Sequence, residues 1–232
     1  MRAGQRVGSI AALLGALALL VGAAARAQVG EVGVGLNSST AWSATAGQTV
    51  GAGNGLVMGE VGWPGISVQY SRGLDDRTDL GFKASFLYGF EGTTNGLVGL
   101  NLAVPYKRNL YTNGGLAIAG HIDPGVSFYG NRGPETGNLW GVGGPVGFVL
   151  GVRLNDRLTL DAIGDVPVLV SFSNPVGIMF GPQVGLGAEY KLDKDLAVTF
   201  RSRFGPEFAV VSGGSQSQLA FQTLLGLAYN TR

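Results

Sequence analysis

The feature that most constrains this chain is a two-residue alternation whose second face is small rather than solvated. From Leu80 to Phe90 the even positions are Leu80, Phe82, Ala84, Phe86, Tyr88 and Phe90. Between them stand Gly81, Lys83, Ser85, Leu87 and Gly89. From Ile178 to Leu192 the apolar series is Ile178, Phe180, Val184, Leu186, Ala188, Tyr190 and Leu192, interleaved with Gln183, Gly185, Gly187 and Glu189. Phe221, Thr223, Leu225, Leu227 and Tyr229 repeat the pattern near the C-terminal end. Period 2 is the signature of a β-strand. A soluble sandwich also alternates, but its outer face carries Lys, Glu and Thr. Here the second face is mostly Gly, Ala and Ser with a few charges. Apolar outward and small or polar inward is the pattern of a transmembrane barrel, whose closure pairs every backbone group without an edge.

Composition supports this. Charged residues make up 13% of the chain, against about 25% in a typical soluble domain. The 41 glycines disfavour helices, because each costs about 1 kcal/mol in a helix interior, and they follow no collagen triplet. Arg2 and Arg6, the apolar run Val7 to Ala25 and the small residues of Ala25-Arg26-Ala27 form a signal peptide. The expected organisation is a signal peptide over 1–27 and an outer-membrane β-barrel over 28–232. Cleavage removes three arginines, leaving 13 basic residues against 15 acidic ones, a balance that gives no reason to expect nucleic acid as a partner. The chain has no Cys, so it has neither disulfides nor the thiol that lipid attachment requires.

Charge also punctuates the chain. Compact charged clusters at Arg72 to Asp79, Lys107-Arg108, Arg153 to Arg157 and Lys191 to Asp195 alternate with weakly charged connections at Gly92 to Gly96, Tyr129 to Gly141, Ser173 to Pro175 and Ser212 to Gln218. These are the two ends of an up-and-down barrel. The charged turns are assigned to the periplasm and the others to the outside. Trp42, Trp63 and Trp140 fall near the second kind of connection, whereas Tyr70, Tyr106, Tyr111, Tyr190 and Tyr229 fall near the first, as interfacial girdles do. The runs give an all-β antiparallel barrel of about ten strands, with eight as the alternative. The strands expected are Val29–Asn37, Ile66–Arg72 with an upstream extension, Asp79–Glu91, Leu97–Tyr106, Leu110–Phe128, Val142–Leu154, Leu158–Phe172, Val176–Leu192, Leu196–Val211 and Leu219–Tyr229. Trp63-Pro64-Gly65 reads as an interruption of the second. Ser38 to Trp63, rich in Gly, Ser and Thr, reads as the one long external loop, either a binding loop or a shield over the barrel mouth.

The strand pattern, the run Gly181 to Tyr190 and the apolar last strand resemble the small outer-membrane barrels of the OmpA/OmpX-like superfamily in its broad sense. The resemblance covers Gln28 to Arg232. It implies outer-membrane lipid as surroundings and insertion by the barrel-assembly machinery of a Gram-negative cell. The last strand in such proteins commonly ends on an aromatic residue. Here Asn230-Thr231-Arg232 follow Tyr229.

Parity places Glu31, Lys83, Asp123, Asp161, Asp165, Glu189, Arg201, Arg203 and Glu207 in the lumen, together with His121, the single His. Two functions follow. One is a structural barrel, a membrane component whose lumen is filled by charged pairs. The other is a narrow porin-like channel for small polar solutes. Small barrels are largely filled by side chains, which favours the first, while the Gly-rich inner face leaves room for the second. Asp161 is expected opposite Gly187 with Arg201 on its far side, so that the two side chains meet over a residue without one; Asp165 and Arg203 repeat the contact. His121 and Asp123 point the same way, and such a pair can act as a general base. No Ser or acidic motif accompanies them, so a lipid- or peptide-hydrolysing enzyme is the least favoured reading. No Cys/His cluster or Asp/Asn/Gly loop matches a zinc or calcium motif, and no cofactor is expected.

Overall fold

The computed structural model describes residues 42–88, 98–130, 138–172, 176–211 and 214–231. The signal peptide, Val29–Asn37 and Glu31 lie outside them, as do Gly92 to Gly96, Ser173 to Pro175 and most of the 129–141 connection. In chain order the strands are β1 (Gly55–Trp63), β2 (Gly65–Asp75), β3 (Thr78–Leu87), β4 (Val98–Ala103), β5 (Tyr106–Asn113), β6 (Leu116–Ile122), β7 (Gly125–Gly130), β8 (Leu139–Arg153), β9 (Leu158–Ser171), β10 (Gly177–Phe180), β11 (Gln183–Lys191), β12 (Leu196–Val211) and β13 (Gly214–Thr231). Every pairing between them is antiparallel. β4 and β5 run in succession along β3, β6 and β7 along β8, and β10 and β11 along β9 and β12. Thirteen segments therefore fill ten strand positions, and β1 on β13 closes the ring from Gly55↔Thr231 to Trp63↔Thr223. The protein is a closed ten-strand antiparallel barrel.

The breaks fall at prolines. Val104-Pro105, Asp123-Pro124 and Gly181-Pro182 separate the paired segments. A proline has no N–H to donate to the ladder, but its carbonyl still accepts. Gly81 N–H donates to Pro105 O at 2.8 Å, Val104 N–H to Pro124 O at 2.8 Å, and Asp123 N–H to Pro145 O at 3.0 Å. The seam thus loses donors without opening the wall.

Three sequence expectations need correction. The ten positions close without Val29–Asn37; the first barrel strand is β1, which the sequence reading had assigned to an external loop. Trp63-Pro64-Gly65 is the turn between β1 and β2, not an interruption within a strand. Lys107-Arg108 is not a turn. Both residues lie in β5, and the chain reverses at Gly114-Gly115, where Asn113 pairs with Leu116. Gly114 takes φ +56° there, a conformation that only glycine adopts cheaply.

The barrel is inverted relative to a soluble protein. Outward side chains are large and apolar, and they are open to the surroundings: Val68 and Phe148 are each 62% exposed, and Leu186 is 53%. Inward positions hold buried Glu60, Asp161, Asp165, Gln183, Glu189 and Thr199. A soluble monomer rarely shows a contiguous apolar patch beyond a few hundred Å². Here apolar side chains on all ten positions form a continuous belt.

Candidate functional site

The described lumen has two parts, and the half nearer the charged turns is filled by the protein's own chain. Residues 42–54 lead into β1, and most of residues 42–50 are buried. At one wall Trp42 Nε1 donates to Lys194 O at 2.8 Å, with Lys191 Nζ 4.9 Å from the centre of its ring. Beside it Glu189 Oε2 accepts from Ser43 Oγ at 2.9 Å, Ala44 N–H at 2.8 Å and Thr45 N–H at 3.3 Å. Further on, Lys107 Nζ donates to Ser43 O at 3.1 Å and Gln48 O at 2.7 Å. Asn109 Nδ2 reaches Gly47 O at 2.8 Å. The segment then meets β3, where Val50 N–H donates to Asp79 Oδ1 at 3.1 Å. Lys107 Nζ also lies 3.3 Å from Asp79 Oδ2. These anchors sit on β3, β5 and β11 and in the β11–β12 turn, so the segment spans this end of the lumen as a plug. The wall is cut back to receive it. A Cβ at Gly151 would overlap Ala46, and one at Gly47 would overlap the carbonyl of Ala117.

This plug corrects the reading of Ser38 to Trp63 as an external loop. It also moves Trp42 to the charged-turn end, away from Trp63 and Trp140. Trp63 stacks on Phe221 at 5.8 Å, and Trp140 packs on Phe172 at 5.1 Å.

Beyond the plug, charged side chains cross the lumen. Glu60 on β1 takes Lys83 Nζ at 2.9 Å and Ser67 Oγ at 3.0 Å on Oε2, and Arg201 on Oε1. Asp165 on β9 bridges His121 and Arg203: His121 Nε2 lies 2.8 Å from Oδ1, and Arg203 Nη1 2.6 Å from Oδ2. His121 Nδ1 is 3.8 Å from Asp123 Oδ1. Glu207 accepts from Gln218 Nε2 at 2.7 Å. Lys83, His121, Asp123, Asp165, Arg201, Arg203 and Glu207 line a cavity of about 250 Å³ that touches the plug at Ala44 and Thr45 and has apolar lining as well, among it Leu87, Tyr129, Leu169 and Phe180. That volume is slightly below the ~300–1,000 Å³ of a typical small-molecule pocket.

Lys83, His121, Asp123, Asp165, Arg201 and Arg203 thus meet in one cavity, while Glu189 and Asp161 lie at the plug. The expected registers Asp161↔Gly187 and Gly187↔Arg201 are present, and Asp165 meets Arg203. Asp161 and Arg201 do not form the expected pair. Arg201 turns instead to Glu60, a residue the external-loop assignment had removed from the lumen. Gly187 is also less permissive than its inward direction suggests, because a Cβ there would overlap the Asp161 carboxylate. The residues missed are Glu60, Asp79, Lys107 and Ser43. A lone Glu in the run Leu56 to Val61 was the available signal for the first.

No protein-family model matches the chain, and no curated protein does. Among solved structures, a chain described as "Bacterial polysaccharide outer membrane secretin" is similar with a TM-score of 0.41 and 13% identity, over 72% of this chain. The match spans 57% of that chain's length. Neither fold nor function is drawn from it.

Proposed function

We propose that this protein is an outer-membrane component: a barrel exported by its signal peptide, inserted by the barrel-assembly machinery with its charged turns in the periplasm, and insulating rather than conducting. The observation that carries this reading is the plug. A channel needs a continuous wet path. Here residues 42–50 lie across the charged-turn end, and their backbone is bonded to Glu189, Lys107, Asn109 and Asp79. The apolar belt supports the membrane location, since lipid is the solvent that such a surface requires. The closed antiparallel fold is compatible with the OmpA/OmpX-like affinity suggested by Gly181 to Tyr190 and the last strand.

The narrow channel is the second reading, favoured by the cavity beyond the plug. Enzymatic work by His121 and Asp123 is not part of this proposal. His121 Nε2 is held by Asp165, which is also held by Arg203, so the pair belongs to a chain of charges. The test is reconstitution of the full chain in a planar bilayer. Folded protein, identified by heat-modifiable migration, is expected to show no discrete conductance steps. Regular steps in the unmodified protein would replace this reading with the channel. Recovery as a soluble monomer without detergent would remove the membrane reading altogether.

A further inference from the structure

The lumen cavity carries unspent hydrogen-bond donors. Lys83 on β3 and Arg201 on β12 both line it, and both are held by one carboxylate, that of Glu60. Lys83 Nζ is 2.9 Å from Oε2, and Arg201 Nη2 meets Oε1. Ser67 Oγ also donates to Oε2, at 3.0 Å, so both oxygens of Glu60 are engaged. Among the described residues neither cation has a second acceptor. Two of the three ammonium N–H groups of Lys83 stay unspent, as do Nε and Nη1 of Arg201. Asp161 is close enough to act on the charge of Arg201, but it makes no hydrogen bond to it and does not line the cavity. The carboxylates that do line it are engaged elsewhere. Asp165 is held between His121 and Arg203, Asp123 faces His121 at 3.8 Å, Asp79 faces Lys107, and Glu207 takes Gln218.

The cavity also reaches the far end of the barrel, and there it carries apolar side chains. Leu87, Tyr129 and Leu169 stand near the ends of β3, β7 and β9 that point away from the charged turns, and Met179 pairs with Leu169. Paired residues share a side of the sheet, so Met179 points inward with its partner. Glycines leave room among them. Gly99 separates Leu87 from Tyr129, whose ring lies over it, and Gly143 flanks Leu169. The volume of about 250 Å³ is that of roughly eight waters at ~30 Å³ each, enough for a molecule of roughly eight to ten non-hydrogen atoms.

A small-molecule site typically combines an apolar wall with a few convergent polar groups. Here the convergent groups are cationic donors. A guanidinium and an ammonium held on one carboxylate are close enough together for a second carboxylate to bridge them. We propose that this cavity binds a small organic monoanion: a carboxylate with an apolar body the size of a single ring. The carboxylate sits on Lys83 and Arg201, and the body lies against Leu87, Tyr129, Leu169 and Met179. The plug contributes Ala44 and Thr45 to the wall, so the barrel holds its ligand rather than passing it on. The site does not depend on the lumen being insulating, so conductance and ligand uptake can fail separately.

The test is equilibrium dialysis of the folded full-length protein in detergent against radiolabelled benzoate, with empty micelles as the blank. The expected result is one benzoate per chain above the blank. Acetate keeps the charge without the body, and benzyl alcohol keeps the ring without the charge. Each is expected to compete at least tenfold more weakly than unlabelled benzoate. Lys83→Met, which leaves Glu60 its bond to Arg201, is expected to weaken uptake at least tenfold, as is Leu169→Ser at the apolar end. Absence of uptake above the blank overturns the proposal, and so does unchanged uptake by Lys83→Met. Competition by acetate or benzyl alcohol equal to that of benzoate overturns it too. That comparison uses the unmodified protein and stays decisive if a variant fails to fold.

Discussion

The two halves of the lumen solve the same problem with different material. Toward the charged turns the space is taken by backbone: the peptide groups of residues 43–50 bond to Glu189, Lys107, Asn109 and Asp79. In the other half it is taken by side chains that pair with one another, around a cavity of about 250 Å³. The wall differs accordingly. Ala117, Ala119, Gly151 and Ala197 line the plugged half, and the three alanines are fully buried. Side chains with charge line the other. Small wall residues in such a barrel therefore need not signify an open pore. Here they make room for the protein's own chain.

Removal of the plug should give the largest effect. Replacing residues 43–49 by a Gly-Ser linker of equal length is expected to turn an insulating barrel into one with discrete conductance steps. The Asp165→Ala/Arg203→Ala pair, in the other half, is expected to remain insulating. If the linker variant insulates and the double mutant conducts, the two halves have exchanged roles and the charge network is the seal.

Stability should separate the halves next. Glu60 is the shared acceptor of Lys83 and Arg201. Glu60→Ala leaves two cations in the lumen without it, and removing one partner of a buried ion pair costs about 3–5 kcal/mol. Partial hydration from the cavity places the expected loss toward the lower figure. Glu189→Ala should cost a similar amount by releasing the plug, and it alone should also raise conductance. Urea midpoints of the folded protein in detergent would measure both losses. Equal conductance in the two variants would erase the distinction.

The outer face should be indifferent to which half lies behind it. Leu186 points outward beside the plugged half, next to Gly187. Leu186→Arg is expected to block insertion, since an arginine at the bilayer midplane costs about 2–4 kcal/mol. Normal membrane assembly of this variant, read by heat-modifiable migration, would show that the apolar belt does not face lipid.

The fold was legible because its cause is periodic. Strands that separate lipid from a lumen must alternate, and residues such as Phe82, Leu186 and Lys83 declared their faces by parity alone. The plug was illegible for the opposite reason. Residues 42–50 have no period, and their Gly, Ser, Thr and Ala content is that of a flexible loop. Burial is imposed on them by Glu189 and Lys107, more than 50 positions away. One error propagated from there: β1 was absorbed into the supposed loop, Glu60 was lost from the lumen, and Arg201 was given the wrong partner. The β5–β6 turn was a different failure. Asn113-Gly114 is a strong hairpin signal, but the charge of Lys107-Arg108 was weighted above it. Of the two, Lys107 puts its charge inside the barrel end, where it bonds to the plug, while Arg108 is exposed on the other face of β5.

The smallest effect discriminates the environments most directly. Trp42 is 5% exposed and lies at the plug, whereas Trp140 is 46% exposed on the outer face. Trp42→Phe removes one hydrogen bond, that from Nε1 to Lys194 O, and should cost only about 0.5–1.5 kcal/mol, with the ring contact to Lys191 largely kept. Fluorescence of single-tryptophan variants then reads position without disturbing the fold. In vesicles containing brominated acyl chains, the protein retaining only Trp140 should be strongly quenched, because bromine quenches on contact and this ring faces lipid. The protein retaining only Trp42 should be nearly unaffected, since the plug encloses its ring. Iodide in the aqueous phase should also reach Trp42 poorly while the plug is seated, and more readily in Glu189→Ala. Strong bromine quenching of Trp42 would put residues 42–50 outside the barrel, and the contrast between the two halves would collapse to a difference in side chains alone.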